Sequence, residues 1–155
     1  MRIGFSFLVF NALIFTVSDI RLIMAFYTAC AIHEAGHIAA LVYTGGRLSA
    51  IEFSGAGIRM ETVKRSFYSV RSSFFVLIAG PAANLLAYLL LRGFGGELPR
   101  LNLAAALYNL LPLKSLDGGA LISLFTSGTA CERKADILIS AIGAAVIAGI
   151  IFITR

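Results

Sequence analysis

Long apolar runs dominate the chain, at residues 3–17, 22–44, 72–91, 101–125 and 137–154. Each of the last four is long enough to cross a hydrocarbon core of ~30 Å as a helix rising 1.5 Å per residue. The first run, with Arg2 before it, partly resembles a signal peptide. Ser18, Asp19, Ile20 and Arg21 behind it offer no small-residue cleavage site, however, so it reads as a short retained span or half-embedded helix. Between the second and third runs the texture changes. Residues 48–53 and 58–62 alternate apolar and polar side chains around Ser54, Gly55, Ala56 and Gly57, the period-two pattern of a β-hairpin. Gly93, Gly95, Gly96 and Pro99 mark residues 92–100 as the other sizeable loop. The expected architecture is an all-α polytopic membrane protein with about five transmembrane segments and a small β-hairpin after the second.

Composition removes the soluble alternative. Of 155 residues, 59% are hydrophobic and 14% charged, against roughly 45–50% and 25% in soluble domains. The length suits one domain over residues 1–155, with its core at about 22–125, and leaves no room for an appended soluble domain. The formal charge of +5 reads as positive-inside loop charge rather than as a nucleic-acid surface. With five spans, one side holds Arg2, Arg47, Arg59, Lys64, Arg65, Arg71, Arg133 and Lys134, and the other only Arg21, Arg92, Arg100 and Arg155. The richer side is expected to be cytoplasmic, with the hairpin and the C-terminal end of the second span facing it. Cys30 and Cys131 have no framework spacing, so neither a disulfide nor a thiolate metal site is expected.

The second run carries His33, Glu34 and His37, and these are the two histidines of the chain. Four residues apart on a helix, both imidazoles reach one ion, while Glu34 lies ~100° round, near enough to meet a water on that ion. Two histidines can also be satisfied core residues, but ionisable groups inside a span cost up to ~2.5–3.5 kcal/mol each and normally mark a functional cavity. A catalytic zinc commonly takes three protein ligands. No third histidine exists and Cys131 falls in a loop, which leaves Asp117 as the best candidate, in a stretch that Pro112, Gly118 and Gly119 should break. Asp117 lies eight residues before Phe125 and His37 seven before Thr44, so both fall roughly 10–13 Å from the cytoplasmic end. An Asp117–Lys114 ion pair steadying a kink is the competing reading.

Three segments together, His33-Glu-Ala-Gly-His37, Ala79-Gly-Pro-Ala-Ala-Asn84 and Asn109-x-x-Pro112-x-x-x-Leu116-Asp117-Gly118-Gly119, resemble the signature motifs of the site-2 proteases, a family of intramembrane zinc metalloproteases. The compact layout is most similar to the bacterial stage IV sporulation protease branch, which activates a membrane-tethered sigma factor precursor. The resemblance implies one zinc per chain on His33, His37 and Asp117, Glu34 as general base, and Asn84 and Asn109 near substrate or the active-site water; interhelical hydrogen bonding is the competing reading of both asparagines, and an oxyanion donated to by Asn109 would follow from the chemistry of such a site. It also implies a membrane-tethered protein substrate, a membrane regulator of unknown identity and a place in the bacterial cytoplasmic membrane. Three departures concern regulation more than catalysis: no PDZ-like insertion, no C-terminal CBS domain, and Ser115 where many members carry proline. A non-catalytic membrane adaptor, or a metal-ion carrier on the same fold, is the alternative. A carrier needs ligands at several depths, and an adaptor has no use for a base at position 34.

Overall fold

A computed structural model describes residues 2–3, 15–16, 18–46, 48–54, 57–62 and 69–153. The expected first span at residues 3–17 lies mostly outside them. At its start Arg2–Ile3 is extended instead, a two-residue strand β1. It is followed by helix α1 (Ile20–Tyr43), strands β2 (Leu48–Ser54) and β3 (Gly57–Thr62), and helices α2 (Val70–Leu91), α3 (Glu97–Asn109), α4 (Asp117–Thr126) and α5 (Glu132–Ile153).

The ends of α1 follow from local chemistry. Asp19 caps its start by accepting the Arg21 N–H at 3.2 Å. At its other end Gly45 takes a left-handed φ of 77°. The N–H of Gly46 then reaches the carbonyl of Leu41 and that of Gly45 reaches Val42, the paired bonds of a Schellman stop. Ser69 caps α2 through the Ser72 N–H. β2 and β3 pair antiparallel, with Ile51 opposite Met60 and Phe53 opposite Ile58, and a register irregularity between Leu48 and Ala50. β1 pairs parallel to the other edge of β2, so the strand order is β1-β2-β3.

Two expected boundaries move. The run at 101–125 is not one span but two helices of 13 and 10 residues, α3 and α4, about 20 Å and 15 Å long, so neither crosses the core alone. The helix also starts earlier than expected, at Glu97, inside the stretch assigned to a loop. Pro99 sits in its first turn, where a missing N–H removes no helical bond. Among the described residues, one helical stretch, Val70–Phe94, is both long and apolar enough to cross a membrane, with a mean hydropathy of 2.1.

Burial differs from that of a soluble bundle in that polar side chains share the interior with Ile23, Ala29, Leu41, Ala106 and Ile139 while many large apolar ones are exposed. His33, His37, Asn84 and Asn102 are buried, whereas Met24, Val42, Phe75, Leu86, Leu90, Leu107 and Leu138 are exposed. Polar groups inside and large apolar groups outside suit a hydrocarbon solvent, in which exposed polar groups are costly. The buried positions of α1 are Ile23, Ala29, His33, His37 and Leu41, one stripe against α2 and α3. At the α1–α2 crossing, a Cβ on Gly36 would stand 2.5 Å from the Ala79 carbonyl oxygen and 2.8 Å from the Ala83 methyl. Small residues there let the two backbones approach closely, as is common where helices pack in membranes. That approach brings the α1 histidines onto α2.

Candidate metal centre

His33 and His37 project from α1 one turn apart, with ring centroids separated by 4.6 Å. Their Nε2 atoms are 3.1 Å from each other. Asp117, the first residue of α4, places Oδ2 at 3.1 Å from His33 Nε2 and 3.2 Å from His37 Nε2. Three ligand atoms from distant parts of the chain thus form a nearly equilateral triangle. A tetrahedral zinc with bonds of ~2.0–2.1 Å holds its ligand atoms about 3.3–3.4 Å apart, close to this spacing.

The far side of each imidazole decides what the near side offers. His33 Nδ1 faces Asn84 Oδ1 at 2.8 Å, and His37 Nδ1 faces the Val76 carbonyl at 2.7 Å. A ring nitrogen donating to these acceptors leaves Nε2 of the neutral ring as a lone pair. Asp117 Oδ2 is itself buried and accepts no hydrogen bond. Three buried lone pairs converging without a proton between them repel one another, and a cation relieves that cost. The donor set and the orphaned oxygen therefore fit zinc.

Backbone shape completes the cradle. A Cβ on Gly80 would collide with His37 Nε2 and stand 2.8 Å from His33 Cε1, so the rings lie directly against the α2 backbone. On the opposite side, residues 110–116 leave the helical path, and side chains on Gly118 and Gly119 would strike the carbonyls of Leu110 and Leu113. The irregular strap folds against the start of α4 and sets Asp117 at its first turn. Lys114 pairs with Asp136 at 3.7 Å rather than with Asp117, which disfavours the structural ion pair.

The other expected site residues divide. Glu34 is half-buried and close enough to interact electrostatically with His37, His33 and Asp117. Asn84 is fully buried, and its amide is committed to His33, to the Ala29 carbonyl and to Asn102 Oδ1. Its bonds therefore run between helices, and none of its surface is exposed. Asn109 turns its amide back onto the Ala105 carbonyl of its own helix at 3.0 Å, and among the described residues it makes no bond to the ligand trio. Asn102, fully buried and not expected to take part, joins the site through Asn84. Its polarity within an apolar run was the available signal.

A scan against protein-family models matches none of them. The chain is 29% identical over 125 residues to a candidate zinc metalloprotease of Synechocystis sp. (strain ATCC 27184 / PCC 6803 / Kazusa). That alignment covers 72% of this chain and 33% of the relative, so the chain spans about a third of the length of the curated protein it matches. Among solved structures, the site-2 protease from Methanocaldococcus jannaschii superposes with a TM-score of 0.68 at 20% identity, over 93% of this chain and 74% of that one. The backbone likeness shows that this chain shares the fold of that site-2 protease.

Proposed function

We propose that the chain is an intramembrane zinc endopeptidase that cuts a transmembrane or membrane-proximal segment of a membrane-tethered protein. The observation that carries this reading is the triangle of His33 Nε2, His37 Nε2 and Asp117 Oδ2 with the half-buried Glu34 carboxylate beside it. Zinc held on these atoms would supply Lewis acidity, activating water near neutral pH and polarising the scissile carbonyl. Glu34 takes the proton from the attacking water and delivers it to the leaving amine. Asn84 and Val76 hold the imidazoles, and Asn109, at the end of α3, would turn from the Ala105 carbonyl to donate to a developing oxyanion. A reporter carrying a tethered transmembrane segment, co-reconstituted in lipid vesicles, tests the reading. Cleavage is expected to stop with a zinc chelator and to return with added zinc; unchanged cleavage in chelator contradicts it.

A helical peptide bond cannot be cut until its segment unwinds, and unwound backbone in hydrocarbon needs new partners at several kcal/mol per unpaired group. The sheet can supply them by strand addition. Among the described residues both edges of β2 are paired, so of the two hairpin strands β3 is the one with an outer edge to offer substrate. Single prolines at Ile58, Arg59 and Met60 are expected to slow cleavage of the reporter at least tenfold with zinc retained. If all three cleave at the parent rate in folded protein, strand addition is wrong.

The charge bias supports a site nearer the cytoplasmic face of a bacterial membrane. Val70–Phe94 separates Lys64 from Gly96 in sequence. Single cysteines at those two positions are expected to react with a membrane-impermeant thiol reagent from opposite sides, Lys64→Cys from the cytoplasm. Reaction of both from one side contradicts the orientation.

A further inference from the structure

Among the described residues, Asn102 is a polar side chain with no exposed surface and no part in the proposed chemistry. It lies on α3, and its Nδ2 donates to the Leu98 carbonyl of its own helix at 2.8 Å. A backbone carbonyl can only accept, so this bond fixes which end of the amide is which and turns Oδ1 towards α2. There Oδ1 accepts from Asn84 Nδ2 at 2.8 Å. The second hydrogen of Asn84 Nδ2 goes to another carbonyl, that of Ala29 on α1, at 2.9 Å. With both Nδ2 hydrogens committed to acceptors, Asn84 presents Oδ1, and only Oδ1, to His33 Nδ1 at 2.8 Å. His33 must then donate from Nδ1, and in the neutral ring that leaves Nε2 bare.

We infer that Asn102 is a positioning residue for the metal centre, which locks Asn84 so that His33 is held in its metal-binding tautomer and orientation. The inference rests on the zinc reading above and goes beyond it in assigning a role on α3, a helix that provides no ligand. The relay ties three helices together, α3 to α2 to α1, so that the ring's position depends on the packing of all three. His37 needs no such device, because the Val76 carbonyl fixes its Nδ1 directly. A ligand's hydrogen-bonded support typically changes metal affinity 10–100-fold when removed.

The test uses the full chain purified in detergent, with zinc affinity read by competition against a chromophoric chelator and ligand geometry read from the visible spectrum after cobalt substitution. Asn102→Leu removes the acceptor for Asn84. Asn102→Ser removes its reach with a smaller side chain and serves if the leucine variant does not fold. Both are expected to bind zinc 10–100-fold more weakly and to shift the cobalt spectrum. Asn102→Asp, protonated when buried, can donate to Leu98 and accept from Asn84 in the same places, and is expected to stay within about threefold of the parent. In an Asn84→Leu background the further change to Asn102→Leu should alter affinity by less than about threefold, since both act through one imidazole.

Parent-like affinity and spectrum in the leucine and serine variants would overturn the inference while leaving the zinc reading intact. So would an aspartate variant as weak as the leucine one, or an undiminished effect in the Asn84→Leu background. A parent chain that takes up no zinc would overturn the proposed function, and this inference with it.

Discussion

Glu34→Gln is expected to abolish cleavage while leaving the metal in place. The substitution keeps the side-chain volume and one acceptor oxygen but replaces a proton-accepting carboxylate with an amide that cannot take a proton at neutral pH. Glu34 sits one residue from His33 on α1, yet it is not one of the three converging ligand atoms. Its loss should leave His33, His37 and Asp117 where they are. General acid–base groups typically contribute 10²–10⁴-fold, and in the proposed mechanism this one serves both proton transfers, so turnover of a tethered reporter should fall by about 10³-fold or more. Zinc content should stay at the parent level. Parent-rate cleavage by Glu34→Gln would remove Glu34 from the chemistry, whereas joint loss of zinc and cleavage would make it a structural support.

A single methyl group on Gly80 should have an effect nearly as large, by a different route. The Cβ of Gly80→Ala would collide with His37 Nε2 and stand 2.8 Å from His33 Cε1. Either the rings swing aside or α2 moves away from α1, where the close approach at Gly36 leaves little slack. Overpacking a tight contact costs about 1–3 kcal/mol of stability, which a folded bundle survives. Metal sites, by contrast, require their ligands within about 0.5 Å of the productive geometry. Gly80→Ala should therefore remain folded in detergent, with helix content unchanged, while zinc affinity falls at least 100-fold. Parent-like zinc affinity would show that the imidazoles have room the structure does not give them.

What was legible in the sequence is what depends on local spacing. His33 and His37 share a face because a helix turns in 3.6 residues, and Asp117 was reachable from the Pro112 to Gly119 stretch because breakers next to an embedded carboxylate have few other uses. The α1 limits follow likewise from Asp19 and from the Thr44, Gly45, Gly46 ending. Gly95, Gly96 and Pro99, read together as loop residues, hide where α3 begins. Glycines just before a helix and proline in its first turn are start signals, and the left-handed φ values of 69° and 87° at the two glycines show the turn that precedes it. The rest was illegible for a physical reason. Asn84 and Asn102 are 18 residues apart on separate helices, and which of their faces meet depends on the crossing of α2 and α3. Val76 contributes only a carbonyl, which any residue type could supply. The pairing of β1 with β2, which among the described residues leaves β3 as the outer strand of the hairpin, is likewise a long-range contact without a local pattern.

The central claim is that one zinc sits on His33, His37 and Asp117. X-ray absorption at the zinc edge, on the purified full chain and on Asp117→Ala, tests it most directly. The account predicts one zinc per parent chain in a nitrogen and oxygen shell at ~2.0–2.1 Å, with the imidazole scattering of two histidines and no sulfur at ~2.3 Å, and loss of most of that zinc in Asp117→Ala. A parent shell containing sulfur, a parent without zinc, or an Asp117→Ala protein with the parent's zinc content and shell would contradict it.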